Sequence, residues 1–248
     1  MKFLIGDIGN TSTKICVLNN DLKILRSYNF ETIKMLKGNL LKTVIRKRIN
    51  KGLNPIFLFS SVVPKVFLNI KKSLKFSKYK VLEIKSLNLN KVIKINVKNK
   101  TQLGSDRIAN AIGAKKLKNC LVLDFGTATT FDIIKNGVYV GGVIAPGVKL
   151  SMMNLNSSTA LLPMFNLKNT QKTYGKDTKE ALNAGFIWGY EGLINNIINK
   201  ITTKWKIKYN IILTGGYANF FKKNIKKKTI IDQDITIKGI SKVYRELI

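Results

Sequence analysis

Histidine is absent from all 248 residues. That removes Ser-His-Asp and Cys-His nucleophilic sites, histidine-ligated metals and imidazole general bases. Acid–base chemistry therefore falls to carboxylates, lysine, tyrosine or water. Cysteine is nearly as scarce. Cys16 and Cys120 are far apart, form no C-x-x-C pair and lie in or beside apolar segments, which fits core residues and neither a disulfide nor a zinc site. No apolar run approaches the roughly 18 residues that a membrane span needs. The opening Met1-Lys2-Phe3-Leu4-Ile5-Gly6-Asp7 meets a carboxylate too early for a signal peptide and reads as a buried strand. A cytoplasmic chain without a membrane partner is the expectation.

Arginine is also sparse. Of 44 basic residues only Arg26, Arg46, Arg48, Arg107 and Arg245 are arginine, although the formal net charge is +31. A specific nucleic-acid reader would be expected to use more arginine, whose guanidinium makes bidentate contacts to guanine and phosphate. Lysine is instead spread along the chain among many isoleucines and asparagines, a pattern of codon drift more than of a designed basic face. Arg46-Lys47-Arg48 and Lys226-Lys227-Lys228 read as solvated charge. No specific nucleic-acid partner is expected, only non-specific attraction of polyanions at low salt.

What is present is a repeat. Asp7-Ile8-Gly9-Asn10-Thr11-Ser12-Thr13 returns about half a chain later as Asp124-Phe125-Gly126-Thr127-Ala128-Thr129-Thr130, both copies reading D-x-G-[NT]-x-[ST]-T. Each follows an apolar run and leads into another, Ile15-Cys16-Val17-Leu18 and Phe131-Asp132-Ile133-Ile134, which predicts two strand–turn–strand hairpins. Further strands are predicted at Ile56–Phe59 and Ile211–Leu213. Ser105 and Thr178 read as N-caps, the first opening a helix through Ile112 and the second a long helix to about Thr203. Strands alternating with helices predict an α/β class with two similar domains, 1–115 and 116–248, facing each other across a cleft, joined near Gly113 to Asn119.

A carboxylate that ends a buried strand and precedes Gly and hydroxyl residues has a clear chemical use. The glycine lets backbone N–H groups approach phosphate oxygens, and Thr11, Ser12, Thr127 and Thr129 can add hydroxyl donors. The carboxylate needs a cation between itself and phosphate, and Mg²⁺ commonly keeps one or two carboxylates and several waters. Lys14 can neutralise a further phosphate charge. The same residues also build ordinary turns, but two copies at domain spacing favour phosphate binding. Thr214-Gly215-Gly216 and Gly141-Gly142-Val143-Ile144-Ala145-Pro146-Gly147 are further glycine turns, open to either a loop or a pocket-wall reading. In Gly104-Ser105-Asp106-Arg107 the carboxylate can take a proton from a hydroxyl nucleophile while Arg107 holds an anionic group; the plainer reading is a helix-dipole contact and surface charge.

Together these segments resemble type III pantothenate kinases, within the actin-like, sugar-kinase-like and heat-shock-chaperone ATPase superfamily. Asp7-Ile8-Gly9-Asn10-Thr11 with Lys14, Gly104-Ser105-Asp106-Arg107 and Asp124 to Thr130 carry the likeness. Gly141 to Gly147, Thr159-Ala160-Leu161-Leu162-Pro163, Gly175-Lys176-Asp177-Thr178 and Thr214-Gly215-Gly216 extend it. The resemblance implies duplicated ribonuclease H-like domains, a homodimer, and phosphorylation of pantothenate by ATP with Mg²⁺ and a monovalent cation, K⁺ or NH₄⁺. It implies ATP binding by Asp7, Ile8, Gly9, Asn10, Thr11, Ser12, Thr13, Lys14 and Thr127. It further implies substrate contacts from Gly104, Ser105, Asp106, Arg107 and Thr178, Asp106 as proton acceptor, and Asp124 on the monovalent cation. Two positions depart from the family's pattern. Val97 stands where a substrate-packing tyrosine is common, and Lys100 where proline is usual.

Overall fold

A computed structural model describes residues 1–36, 40–46, 52–204 and 207–248; Lys47 and Arg48 of the first basic cluster lie outside them. The chain opens with β1 (Lys2–Ile8), β2 (Ser12–Leu18) and β3 (Ile24–Glu31), followed by the short helices α1 (Thr32–Leu36) and α2 (Leu40–Val44). Then come β4 (Leu53–Ser61), α3 (Pro64–Ser73), β5 (Lys80–Glu83), β6 (Lys94–Ile95) and α4 (Ser105–Ala114). The second set is β7 (Cys120–Phe125), β8 (Ala128–Lys135), β9 (Val138–Pro146), α5 (Val148–Ser157), α6 (Thr178–Lys204), β10 (Asn210–Gly215), α7 (Ala218–Phe221), β11 (Thr229–Ile231) and α8 (Ile235–Leu247).

The first sheet has the order β3-β2-β1-β4-β5. β1 runs antiparallel to β2 and parallel to β4, and β4 is parallel to β5. The second sheet, β11-β10-β7-β8-β9-β6, contains the same order read as β9-β8-β7-β10-β11, with β6 added at the β9 edge. β7, β10 and β11 are parallel. The duplicated motif therefore marks a duplicated topology, with each Asp-Gly turn closing the first hairpin of its set.

Burial explains why the central strands read as continuous apolar runs. Leu4, Ile5 and Ile8 of β1 and Cys120 to Leu123 of β7 are wholly buried, as strands covered on both faces must be. β3, at an edge, is mostly exposed and carries Arg26, which discourages edge-to-edge pairing. Both cysteines are free and buried, as the sequence predicts.

Two compact units result: Met1–Lys118 with Ile134–Gly141 and Asp234–Ile248, and Asn119–Ile133 with Gly142–Gln233. The last helix thus groups with the first unit. Its buried residues Ile235, Ile237, Gly239, Ile240, Val243 and Tyr244 lie at helical spacing. Tyr244 donates its hydroxyl to the Ile56 carbonyl at 3.1 Å and meets Phe3 edge-on, with ring centroids 5.1 Å apart.

Both expected N-caps sit one residue off. Gly104 is the N-cap of α4, and Ser105 is its first helical residue. At α6 the cap is Asp177, whose carboxylate accepts the Glu180 N–H at 2.8 Å, while Thr178 opens the helix. At α6 the capping side chain lies one residue earlier, and at α4 the cap is a glycine with no side chain to read.

Candidate active site

In the first unit the turn from Gly9 to Ser12 is tight: the Gly9 N–H donates to the Ser12 carbonyl at 3.0 Å. Thr32 braces it from behind, donating its hydroxyl to the Gly9 carbonyl at 2.7 Å and its N–H to the Thr11 carbonyl at 2.9 Å. Asn10, Thr11 and Ser12 are exposed. Ile8 and Thr13 point inward. Ile8 is core, and the Thr13 hydroxyl lies 3.0 Å from that of Thr32. Those two can contribute backbone groups only. Asp7 lies in register with Lys14 on β2 and Ser60 on β4. The Lys14 ammonium reaches the Asp234 carboxylate at 2.6 Å, just before α8, a partner that sequence reading missed.

Asp7 and Asp106 belong to one end of the same parallel strands. Val62, immediately after β4, donates its N–H to the Ile8 carbonyl at 3.0 Å. The Val62 side chain in turn lies 3.5 Å from where a Cβ on Gly104 would stand. Ligands of α/β sheets bind outside the carboxyl ends of parallel strands, and both segments lie there. Asp106 accepts the Arg107 N–H at 2.7 Å and is half-buried. Burial pushes its carboxyl above the usual aspartate range, against the opposing pull of the Arg107 N–H and guanidinium. Ser105 is buried and donates its hydroxyl to Glu83 at 2.5 Å. Glu83 also went unread; its only sequence signal is an acid closing a short apolar strand in a chain with 13 acids.

The second unit brings Gly126, Gly147, Gly215 and Gly216 around one turn. Gly126 donates its N–H to the Ala128 carbonyl at 3.1 Å, and Gly216 donates to the Phe125 carbonyl at 3.1 Å. Gly215 holds φ +85°, and a Cβ there would lie 2.7 Å from Asp124 Oδ1. A Cβ on Gly147 would stand 2.0 Å from the Thr127 carbonyl oxygen, so Gly147 backs the Thr127 turn, whereas Gly141 to Pro146 belong to β9 and make no chain reversal. Thr127 is exposed, whereas Thr129 is fully buried and its hydroxyl offers nothing to a ligand.

Thr178 borders an open apolar groove of about 620 Å³ between α5 and α6, lined also by Pro146, Leu182, Gly185, Gly189 and Tyr190. The Tyr190 hydroxyl lies 2.8 Å from that of Ser151 and donates to the Pro146 carbonyl at 3.3 Å, which pins the groove floor to β9. Among the described residues no helix is long and apolar enough to cross a membrane. Nor is there a cluster of three or more metal-ligating side chains among them.

A repeated hairpin in two sheets of one strand order, each closed by an Asp-Gly turn at the strand ends, defines the duplicated ribonuclease H-like fold of the actin-like and sugar-kinase-like ATPases. Solved structures agree at the level of fold. A conserved Campylobacter jejuni protein assigned provisionally to the Baf family of transcriptional activators superposes with a TM-score of 0.65 at 21% identity, covering 98% of each chain. A Listeria monocytogenes protein assigned provisionally as an N-acetylmannosamine kinase gives 0.57 at 15% identity over 99% of each. In sequence, the family model for type III pantothenate kinase matches residues 3–200. The type III pantothenate kinase of Pelagibacter ubique is 48% identical over 240 residues, 96% of both chains. The chain belongs to the type III pantothenate kinase family.

Proposed function

We propose that this protein transfers the terminal phosphoryl group of ATP to pantothenate, giving 4'-phosphopantothenate in the first step towards coenzyme A. The observation that carries the reading is Asp106, a carboxylate held above its ordinary pKa by burial at the start of α4, beside the strand ends that present the Asp7–Lys14 turn. Such a group can accept the proton of a primary hydroxyl as the hydroxyl oxygen bonds to the γ-phosphorus and the bond from that phosphorus to ADP breaks. Arg107 faces the acidic end of the acceptor. Gly104 and Ser105 contribute to the substrate pocket, and Ser105, its hydroxyl committed to Glu83, does so through its backbone.

Asn10, Thr11 and Ser12 take the ATP phosphates with backbone and side-chain donors, and Lys14 exchanges Asp234 for phosphate. Phosphoryl transfer asks the protein mainly for positioning and charge stabilisation, which these groups supply. Asp7 would hold Mg²⁺, which would neutralise phosphate charge and needs only one or two protein carboxylates. Asp124 would hold the monovalent cation; the space that a Cβ on Gly215 would fill lies against its carboxylate.

The α5–α6 groove is assigned to a second copy of the chain. Gly185 and Gly189 leave open space on α6 where a helix of the partner can approach closely, and Leu155, Leu162 and Leu193 add apolar lining. Leu182→Glu should convert a dimer to a monomer in sedimentation; a wild-type monomer at micromolar concentration contradicts the assignment.

Mass analysis after incubation with Mg²⁺-ATP tests the substrate, using pantothenate and a panel of other small acidic alcohols. Phosphopantothenate as the dominant product is expected. Phosphorylation of another panel member in its place, which the Val97 departure makes worth checking, would transfer the reading to that acceptor.

A further inference from the structure

α4 begins without a side-chain cap. Its N-cap is Gly104, which has no side chain to offer, yet the helix start carries Asp106. Something else must fix its direction, and the contacts of the segment that follows β5 supply it. One oxygen of Glu83 accepts the Ser105 hydroxyl at 2.5 Å, and the other accepts the Lys85 N–H at 2.7 Å. The ammonium of Lys85 donates to the carbonyls of Thr101 and Leu103, at 2.9 and 3.0 Å. Glu83 and Lys85 therefore grip the chain on both sides of Gly104, three bonds on residues 101–105 from one short turn.

Ser105 is 1% exposed, so its hydroxyl has no water to turn to if Glu83 is lost. A charge-assisted O–H···O⁻ bond is among the stronger and more directional kinds. Burial pushes the Glu83 carboxyl up, and the bonds from Ser105 and the Lys85 N–H oppose that shift by favouring the ionised form. A half-buried carboxylate with both oxygens bonded is a rigid anchor, and the residue it anchors is the immediate neighbour of Asp106.

We propose that Glu83 is a positioning residue for phosphoryl transfer, aiming Asp106 through the Ser105 hydroxyl while Lys85 holds the segment that leads into α4. The proposal rests on the reading of Asp106 as proton acceptor, and the test separates the two.

Steady-state kinetics with Mg²⁺-ATP and pantothenate are measured for wild type, Asp106→Asn, Glu83→Ala, Glu83→Gln, Ser105→Ala and the Glu83→Ala/Ser105→Ala pair, with thermal unfolding of each. Misaiming a reacting group by about 1 Å can lower rate roughly a hundredfold, so Glu83→Ala and Ser105→Ala should each lower kcat by about tenfold to a hundredfold. KM for ATP should stay within about twofold, because the nucleotide turn is not part of this grip. The double variant should be no slower than the slower single, since both remove one bond. Glu83→Gln, which keeps one acceptor oxygen, should recover part of the loss. If Glu83→Ala does not fold, Ser105→Ala and Glu83→Gln decide. Ser105→Ala at the wild-type kcat, or losses that multiply in the double variant, overturn the proposal. Wild-type turnover by Asp106→Asn would instead overturn the reading of Asp106.

Discussion

A Cβ on Gly104 would stand 2.5 Å from Oδ1 of Asp106, so the carboxylate occupies space that any other residue at 104 would claim. This gives the glycine of the Gly104-Ser105-Asp106-Arg107 segment a geometric reason. Gly104 itself is in ordinary extended backbone, φ −60° and ψ 141°, so alanine would fit the chain and act only by pushing the carboxylate aside. Gly104→Ala should lower kcat by about a hundredfold while leaving the fold intact by circular dichroism. Unchanged kcat would mean that the Asp106 rotamer has no bearing on turnover.

Asp106 also sets a pH prediction for stability. Its folded-state pKa is raised, chiefly by burial, so its neutral form is the better tolerated one. For a raised acid the favourable contribution is present below the unfolded value of about 3.9 and is lost as pH rises through the folded value. At neutral pH the charged carboxylate therefore destabilises the fold relative to an amide. Asp106→Asn should melt higher than wild type at neutral pH, with the gap closing as pH falls, and should not turn over. In wild type, kcat/KM should fall on the acid side at a pH above the ordinary aspartate range. A mutant that melts lower at neutral pH contradicts the burial argument.

The Lys14–Asp234 pair predicts a split between binding and stability. Its side chains are 27% and 42% exposed, and such pairs contribute about 0–1 kcal/mol to folding. Asp234→Asn should shift denaturant midpoints little. Lys14→Met should raise KM for ATP by roughly tenfold or more, from loss of a charge-assisted phosphate contact. Equal KM values for wild type and Lys14→Met would remove Lys14 from the nucleotide site.

Two glycines should respond oppositely to alanine. At Gly239 a Cβ would lie 1.8 Å from the Ala109 carbonyl oxygen, where α8 crosses α4 backbone to backbone. Gly239→Ala should destabilise by about 3 kcal/mol or more, because neither helix can retreat without opening the core. At Gly185 nothing lies within 4 Å, and the residue is in the interior of α6. Gly185→Ala should gain about 0.5–1 kcal/mol in the isolated chain from helix propensity. If Gly185 faces a second copy, the same change should weaken dimerisation, so sedimentation and denaturation together read both effects.

Those parts of the molecule that were legible in the sequence are the ones with local signatures. The two Asp-Gly turns could be read because strand, turn and strand are contiguous, and the repeat implied two similar units without their strand order. Cys16 and Cys120 were placed in the core by their apolar neighbours. The Glu83–Ser105 and Lys14–Asp234 contacts could not be read, because each joins residues whose proximity exists only after β5 has paired with β4 and α8 has packed on α4. Thr129 shows a related limit. Its motif position matches that of exposed turn residues, yet the strand alternation of β8 turns it inward. The grouping of α8 with the first unit has the same origin, since its apolar stripe names a buried face but not the surface that buries it.

The most direct test of the central claim is ADP release by the purified protein with Mg²⁺-ATP and pantothenate, in K⁺ and then in Na⁺ alone, with Asp106→Asn alongside. The account predicts pantothenate-dependent turnover that K⁺ stimulates and that collapses in the Asn protein. Turnover that ignores pantothenate, or that persists when Asp106 is replaced, would contradict it.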